Sequence, residues 1–354
     1  MARNKAAAGL KTVVVCGSDG VGSTAAMTAS ILTASGRRCG LLGLYRAEID
    51  GAPLAPEEKT TEAALRAFER EKCAFAVIEC RGEGERAAAL FEDPECVVIT
   101  RTQDADIARC LAQIRENGRV CACFPDGDAQ LSAIAAACRS KGAALRFSEP
   151  DELETLRDAP DGQTFCYCDD TPYTLALAGD TQALNAAAVL ETVEMLRERG
   201  VRIKDEAIAA GLAAVRMPGC FELMPGEPPF ILDTPRTGAQ ARAMRANFDF
   251  YYDTLRRAAI ISAVQGPDAA EMTACAAAGC CAAVCLTAPE ENAVPAAELA
   301  RMARDAGCAA VICGSPDEAA AAAITAAGRG GAVCCMVTPR TAAEIRANFI
   351  REDT

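Results

Sequence analysis

The segment Thr12–Thr24, TVVVCGSDGVGST, constrains the fold of this chain more than any other part of the sequence. Its apolar run Val13–Cys16 predicts a buried strand, and a helical pattern begins near Ser23 after a glycine-rich turn. A strand, a glycine-rich turn and a helix N-terminus in this order form a cradle for phosphate, because backbone N–H groups converge there. Such a loop usually carries a lysine at the position that Val21 occupies.

Apolar strand patterns and amphipathic helix patterns alternate along the rest of the chain, which predicts parallel sheets covered by helices on both faces. Turn-rich stretches near residues 217–229 divide the sequence into domains at 1–217 and 218–354. We expect an acidic loop over residues 151–170, with a hairpin formed by 164–168 and 173–177. The other strands predicted for the first domain are 41–45, 74–80, 96–100, 119–124 and 144–147.

Composition excludes several classes of function. The chain contains no histidine, which rules out Ser-His and Cys-His catalytic groups. Its net charge of −13 argues against a nucleic-acid or anionic-membrane partner, and no stretch is apolar for long enough to span a membrane. The 20 cysteines lie mostly in apolar runs and no secretory signal is evident, so we expect reduced thiols and a cytoplasmic protein.

Several ordered motifs resemble those of one known family. They are GSDGVGST at Gly17–Thr24, LAGDTQALNA at Leu177–Ala186 and GLAAVRMPGCFE at Gly211–Glu222, followed by Ile231–Asp233. In order and spacing the chain resembles the folylpolyglutamate synthase/dihydrofolate synthase branch of the Mur ligase superfamily over nearly its whole length. The resemblance implies an α/β fold, with a P-loop-type Mur ligase central domain followed by a smaller Rossmann-like C-terminal domain.

Members of this family, as the resemblance implies, bind Mg-ATP, phosphorylate a substrate carboxylate and let the amine of glutamate attack the acyl phosphate. Four positions depart from that pattern: Val21 replaces the loop lysine, Asp106 a histidine metal ligand, Leu111 a carbamylated lysine and Cys220 an arginine near the phosphates. Phosphoryl transfer depends on such positive clamps, and losing one costs about 10²- to 10³-fold in rate. The departures therefore predict a catalytically impaired relative.

The resemblance assigns ATP and Mg²⁺ to specific residues and leaves the catalytic residues unassigned. Glu79, Asp106 and the Ser23 hydroxyl would supply oxygen ligands to Mg²⁺, which prefers them. The nucleotide-binding residues are Gly17, Ser18, Asp19, Gly20, Val21, Gly22, Ser23, Thr24, Gln182, Asn185, Asp233 and Arg236.

Each of these side chains also has an ordinary structural interpretation. Glu79 is equally well explained as a carboxylate at a strand end, and for Asp106 we favour a charge at a helix N-terminus. Gln182 and Asn185 have the polar character of helix caps. Asp233 could simply begin a turn before Pro235, and Arg236 could be an exposed arginine without a ligand.

Three functions remain open from the sequence. The chain is an impaired folylpolyglutamate synthase-like protein, an active ATP-dependent carboxylate–amine ligase with a rearranged site, or a non-catalytic protein that senses nucleotides or binds a partner. We expect weak or no ATP binding, and no hydrolysis with folate and glutamate. The sequence identifies no protein partner.

Overall fold

The computed structural model describes residues 9–44, 46–123, 128–179 and 181–349. The chain forms two compact units, Met1–Arg216 (unit 1) and Met217–Thr354 (unit 2). Tyr45 and Phe124, which end two predicted strands, and Asp180 of the second motif lie outside the described residues. In the described part of the chain, no helix combines the length and apolar character needed to cross a membrane.

The main sheet of unit 1 has eight strands: β1 (Lys11–Cys16), β2 (Cys39–Leu42), β3 (Ala47–Ile49), β4 (Ala52–Pro53), β5 (Phe75–Glu79), β6 (Cys96–Ile99), β7 (Arg119–Ala122) and β8 (Ala144–Phe147). Their order is β4-β3-β2-β5-β1-β6-β7-β8. The pairs from β2 to β8 are parallel, and β3 and β4 add antiparallel pairs at one edge. The loop after β1 is therefore flanked by the ends of β5 and β6.

The helices of unit 1 pack around this sheet because its central strands are apolar on both faces. All residues of β1 after Lys11 are buried, and Phe68 and Ile78 are completely buried in the core beside it. The helices are α1 (Val21–Ala34), α2 (Thr61–Arg70), α3 (Glu83–Ala88), α4 (Asp104–Gln113), α5 (Asp128–Ser140), α6 (Gln182–Glu198) and α7 (Asp205–Ala214). Short 3₁₀ turns form at Pro56–Glu58 and Pro150–Glu152.

A second sheet in unit 1 corrects the prediction of an acidic loop. It contains three antiparallel strands, β9 (Leu153–Ala159), β10 (Gly162–Tyr167) and β11 (Tyr173–Leu175), in the order β11-β10-β9. The predicted hairpin corresponds to β10 and β11, whereas β9 was expected to be irregular. Most side chains of β9 are exposed, so its sequence lacks the apolar alternation by which a strand is recognised.

Unit 2 is a smaller α/β unit around one six-stranded sheet. Its strands are β12 (Glu222–Met224), β13 (Phe230–Asp233), β14 (Arg256–Ile261), β15 (Ala282–Cys285), β16 (Ala310–Ile312) and β17 (Gly331–Met336). They lie in the order β12-β13-β17-β14-β15-β16, and every pair except β12–β13 is parallel. Its helices are α8 (Gly238–Tyr252), α9 (Ala269–Ala277), α10 (Ala296–Asp305), α11 (Pro316–Ala327) and α12 (Pro339–Phe349).

Candidate functional site

The glycine-rich loop between β1 and α1 is shaped by two close approaches. Gly17 has a φ of 149°, and a Cβ there would overlap the Thr100 hydroxyl at the end of the neighbouring strand β6. Gly20 caps α1 in the left-handed conformation, with a φ of 76°, and a Cβ there would overlap the Asn185 side chain. Glycine is therefore required at both ends of the loop by conformation and by space.

The first turn of α1 presents open backbone donors. The helix begins at Val21, two residues earlier than expected, and no side chain caps it. Thr24 N–H donates to Gly20 O at 2.9 Å, while the N–H groups of Val21, Gly22 and Ser23 meet no acceptor among the described residues. Because these donors lie at the positive end of the helix dipole, this turn is suited to an anion.

The loop residues before this turn use their N–H groups within the protein. Ser18 N–H and Asp19 N–H both donate to the Arg101 carbonyl oxygen, at 2.9 and 3.1 Å. These two N–H groups are therefore not available to a ligand, in contrast to those of the first turn of α1. The backbone of Ser18 and Asp19 holds the loop against the end of β6 instead of facing a ligand.

Two of the substituted positions are occupied by apolar side chains that pack inward. Val21 is 2% exposed, and Leu111 on α4 packs against the apolar core of unit 1. Neither residue offers a charge or a hydrogen bond to a phosphate. Because both side chains pack inward, each has a structural role, and neither position supplies the positive charge of the expected lysine.

Asp106, a predicted metal ligand, is engaged by the chain itself. Ser18 Oγ donates to Asp106 Oδ2 at 2.6 Å, and Arg109 Nη2 lies 2.8 Å from Asp106 Oδ1. Gln103 N–H in turn donates to Ser18 Oγ at 2.8 Å. Both carboxylate oxygens are thus paired, and Asp106 ties the start of α4 to the loop.

Two arginines contact the carbonyl oxygens of the loop, which the sequence did not indicate. Arg81 Nη2 donates to Gly17 O at 2.8 Å and to Ser18 O. Arg109 Nη2 also approaches Gly17 O, at 3.4 Å. The only signal in the sequence was the place of Arg81, two residues after a glutamate that ends a strand.

Glu79, the other predicted metal ligand, lies beside β1 and is buried. It ends β5, pairs in register with Val15 and is 6% exposed. Leu44 N–H donates to its Oε2 at 3.4 Å, whereas Oε1 is buried and has no hydrogen-bond partner among the described residues. Burial raises the pKa of the Glu79 carboxyl, and the nearby Arg46 guanidinium opposes that rise. The unpartnered oxygen fits a cation or a proton.

The donor set for a metal is incomplete within the described residues. Glu79 Oε1 is free and Ser23 is 6% exposed, but Asp106 is paired elsewhere. No group of three or more Asp, Glu or Cys side chains is arranged around a metal position in the described ranges. These residues therefore fit an Mg²⁺ that receives one carboxylate and one hydroxyl from the protein and its other ligands from phosphate and water.

Asn185 lies against the glycine-rich loop, and Gln182 is hydrogen-bonded to Asn185. Asn185 is 2% exposed, packs against Gly20 and donates from Nδ2 to Gln182 Oε1 at 3.4 Å. The N-cap of α6 is Thr181, and it makes no side-chain capping bond. The cap interpretation is therefore wrong for Asn185, which instead joins α6 to the start of α1.

In unit 2, Asp233 holds a turn together. Its Oδ2 accepts the Phe221 N–H at 2.6 Å, and burial raises the pKa of the Asp233 carboxyl to about 7, although the Phe221 and Thr234 N–H groups oppose that rise. Phe221 adopts a positive φ of 44°, so this bond supports an unfavourable backbone. Arg236 is exposed, and its N–H donates to Gln240 Oε1 at 2.8 Å.

The segment before β12, where Cys220 replaces the expected arginine, is held by the Glu222 carboxylate. Glu222 Oε2 accepts the Gly219 N–H at 2.6 Å. Arg346 on α12 pairs with the same carboxylate through two nitrogens, at 2.9 Å from Oε1 and 2.5 Å from Oε2. The motif that resembles the family thus retains a defined conformation in unit 2.

Solved structures share this architecture along almost the whole chain. Mycobacterium tuberculosis folylpolyglutamate synthase complexed with ADP superposes with a TM-score of 0.77 and 21% identity, covering 98% of this chain and 91% of that one. The Thermotoga maritima folylpolyglutamate synthase gives 0.79 and 18%, covering 96% and 89%. The chain has the folylpolyglutamate synthase fold. The expected α/β fold, with parallel sheets flanked by helices and a smaller second unit, is therefore confirmed.

Two curated relatives include folylpolyglutamate synthase in their descriptions. The chain is 27% identical over 325 residues to a probable bifunctional folylpolyglutamate synthase/dihydropteroate synthase of Haloferax volcanii, covering 75% of this chain and 37% of the relative. A protein of the same description from Halobacterium salinarum is 27% identical over 292 residues, with 69% and 35% covered. The chain thus spans little more than a third of these relatives, and no family model matches it. These similarities confirm the resemblance to folylpolyglutamate synthases at low identity.

Solved folylpolyglutamate synthase neighbours also bind nucleotide and metal. A bifunctional folylpolyglutamate synthase/dihydrofolate synthase of Yersinia pestis, complexed with AMPPNP and a Mn ion, superposes with a TM-score of 0.72 and 20% identity, covering 96% of this chain and 88% of that one. The expectation that ATP and a divalent metal are the cofactors of this fold is confirmed for the family.

Proposed function

We propose that this chain is a folylpolyglutamate synthase-like protein that binds ATP but is impaired in amide ligation. The observation that supports binding is the first turn of α1, where the N–H groups of Val21, Gly22 and Ser23 are open and Asn185 lies over Gly20. An open helix N-terminus at the end of a central parallel strand is a favourable place for a phosphate group. The fold and the similarity to folylpolyglutamate synthases also support this proposal.

The impairment is supported by what the substituted side chains do. Val21 and Leu111 pack into the protein, and Asp106 is paired with Ser18 and Arg109. Acyl-phosphate formation needs positive charge around the transferred phosphoryl group, where one missing donor costs about 10²- to 10³-fold in rate. Because several such positions differ, we expect the chain to bind ATP although its ligase activity is strongly reduced.

Ser23 and Glu79 are the residues that would hold Mg²⁺ with the nucleotide. A bound Mg²⁺ would neutralise phosphate charge, as it does in other phosphoryl-transfer sites. Because Glu79 is buried, only a cation bound inside the site could reach its carboxylate, and its Oε1 has no hydrogen-bond partner in the described part of the chain. Asp106 is not included, because its oxygens are already engaged.

Calorimetric titration of the chain with ATP, with and without Mg²⁺, tests the proposal. We expect weak binding that Mg²⁺ strengthens and that Glu79→Gln makes independent of Mg²⁺. The exposed Glu62 on α2 provides the matched control, since Glu62→Gln should leave the Mg²⁺ effect intact. An absence of binding at millimolar ATP would refute the proposal.

An active ligase with a rearranged site is the second candidate, and two observations favour it. Glu79 keeps a free carboxylate oxygen, and Arg81 adds a guanidinium to the loop. Release of ADP on addition of a pteroate and glutamate would establish this activity and exclude the impaired form. If ATP binds and no ADP is released, the impaired form is supported, and nucleotide sensing or partner binding is the role that it leaves open.

We infer a reducing compartment such as the cytoplasm for this protein. All 20 cysteines are free thiols, and most of them are buried. Thiols of this number stay reduced where glutathione and thioredoxin systems operate. Fractionation followed by thiol labelling of the native protein would test the inference.

A further inference from the structure

Arg81 is a half-buried cation that makes no ion pair in the described part of the chain, although its charge acts on the buried Glu79 carboxyl and opposes the rise of that pKa. It donates only to the carbonyl oxygens of Gly17 and Ser18, and no carboxylate lies within ion-pair distance of it among those residues. By contrast Arg109 on α4, which also approaches Gly17 O, pairs with Asp106 at 2.8 Å. Because Arg81 makes no ion pair among the described residues, its guanidinium has charge left for an anion, with which it would form a charge-assisted hydrogen bond.

Arg81 contacts the same loop in which Val21 supplies no positive charge. Both hydrogen bonds that it donates to described residues come from Nη2, so the planar fork keeps further N–H groups for another acceptor. The open donors of the first turn of α1 follow the same loop, and Val21 contributes no charge to them. A guanidinium is also the side chain that best matches the geometry of phosphate oxygens.

We propose that Arg81 supplies to the phosphates of a nucleoside triphosphate the positive charge that Val21 cannot supply. This inference rests on the proposed function, because it concerns the same loop. It assigns a role to a residue that no motif singled out. The competing explanation is that Arg81 only fastens the loop through the Gly17 and Ser18 carbonyl oxygens.

Titration of wild type, Arg81→Gln and Arg81→Lys with Mg-ATP and with adenosine tests the role of the charge. We expect Arg81→Gln to weaken ATP binding about tenfold to hundredfold, as for a lost hydrogen bond to a charged group, and to leave adenosine binding unchanged. Arg81→Lys should recover a large part of the loss. Arg66→Gln is the matched control, because Arg66 is an exposed arginine of α2 that donates to Glu62 O.

The double variant Val21→Lys/Arg81→Gln separates charge from fastening. If Arg81 supplies charge, a lysine in the loop restores ATP affinity although the carbonyl contacts are gone. A folded double variant that binds as poorly as Arg81→Gln would overturn the inference. Circular dichroism would reveal whether burial of the new lysine prevents folding. In that case the salt dependence of ATP binding is compared between Arg81→Gln and wild type. A smaller salt dependence in Arg81→Gln supports the charge role, and an equal one contradicts it.

Failure of the inference and failure of the proposed function give different results. If wild type and Arg81→Gln bind Mg-ATP equally well, the inference is wrong and the proposed function stands. If wild type binds no Mg-ATP, the proposed function falls and the inference falls with it.

Discussion

Replacing Gly20 by alanine tests the packing of α6 on the loop. Gly20 has a φ of 76°, and an added Cβ would overlap Asn185 Oδ1 and lie 2.9 Å from Nδ2. Asn185 cannot easily withdraw, because it is 2% exposed and bonded to Gln182. The substitution therefore combines backbone strain with a clash against a buried polar side chain.

Gly36→Ala separates these two costs. Gly36 has a φ of 80°, in the same unit, and a Cβ there would meet nothing within 4 Å. A left-handed alanine costs about 1–2 kcal/mol, which applies to both positions. Overpacking and the disturbed amide bond add about 2 kcal/mol at Gly20 alone. We therefore expect Gly20→Ala to lower the free energy of unfolding by about 3 kcal/mol and Gly36→Ala by about 1 kcal/mol.

Urea unfolding followed by far-UV circular dichroism measures both variants, since the chain has no tryptophan for fluorescence. The Asn185→Ala background provides the decisive control. There the extra cost of Gly20→Ala should disappear, because the side chain that it strikes is gone. Equal destabilisation by Gly20→Ala and Gly36→Ala would refute the placement of Asn185 on the loop.

Two further predictions concern unit 2. With the pKa of Asp233 raised to about 7 by burial, stability is lost as pH rises from about 4, where the unfolded carboxyl ionises, to about 7. Asp233→Asn should therefore stabilise unit 2 by about 2 kcal/mol at pH 8, a value reduced because Asp233 keeps some solvent exposure, and should leave it unchanged near pH 4. Chemical denaturation at the two pH values measures both effects. A gain in stability at both pH values would contradict the prediction. Arg346→Ala, which strands the Glu222 carboxylate, should cost about 2 kcal/mol by thermal unfolding, against less than about 0.5 kcal/mol for the exposed control Arg301→Ala.

Much of the fold could be predicted from the sequence because its signals are local. The apolar run at Ala144–Phe147 predicts a strand, and β8 has the bounds that the run predicts. The strand β9 was missed because it is exposed, and its pairing with β10 depends on residues distant in sequence. Local periodicity fails where a strand buries neither face.

The candidate site was predicted less completely, because its contacts come from separate elements. The loop and Asn185 were found through motifs, but nothing in the sequence shows that Asn185 rests on Gly20. The sequence also could not show that Asp106 is paired with Ser18 and Arg109. Motifs locate residues that matter; side-chain partners decide which of them remain available to a ligand.

The substitutions around the loop are connected, and their connection bears on function. Asp106, where the resemblance implies a histidine, binds the Ser18 hydroxyl and pairs with the Arg109 guanidinium. Arg109 and Arg81 then both contact Gly17 O, so the loop is fixed from two sides. The two glycines of the loop are required by space and conformation, so by themselves they do not distinguish a working site from a remnant. The N–H groups of Val21, Gly22 and Ser23, which have no acceptor in the described part of the chain, together with the guanidinium of Arg81, which contacts the same loop, are what support the proposal that this site receives an anion.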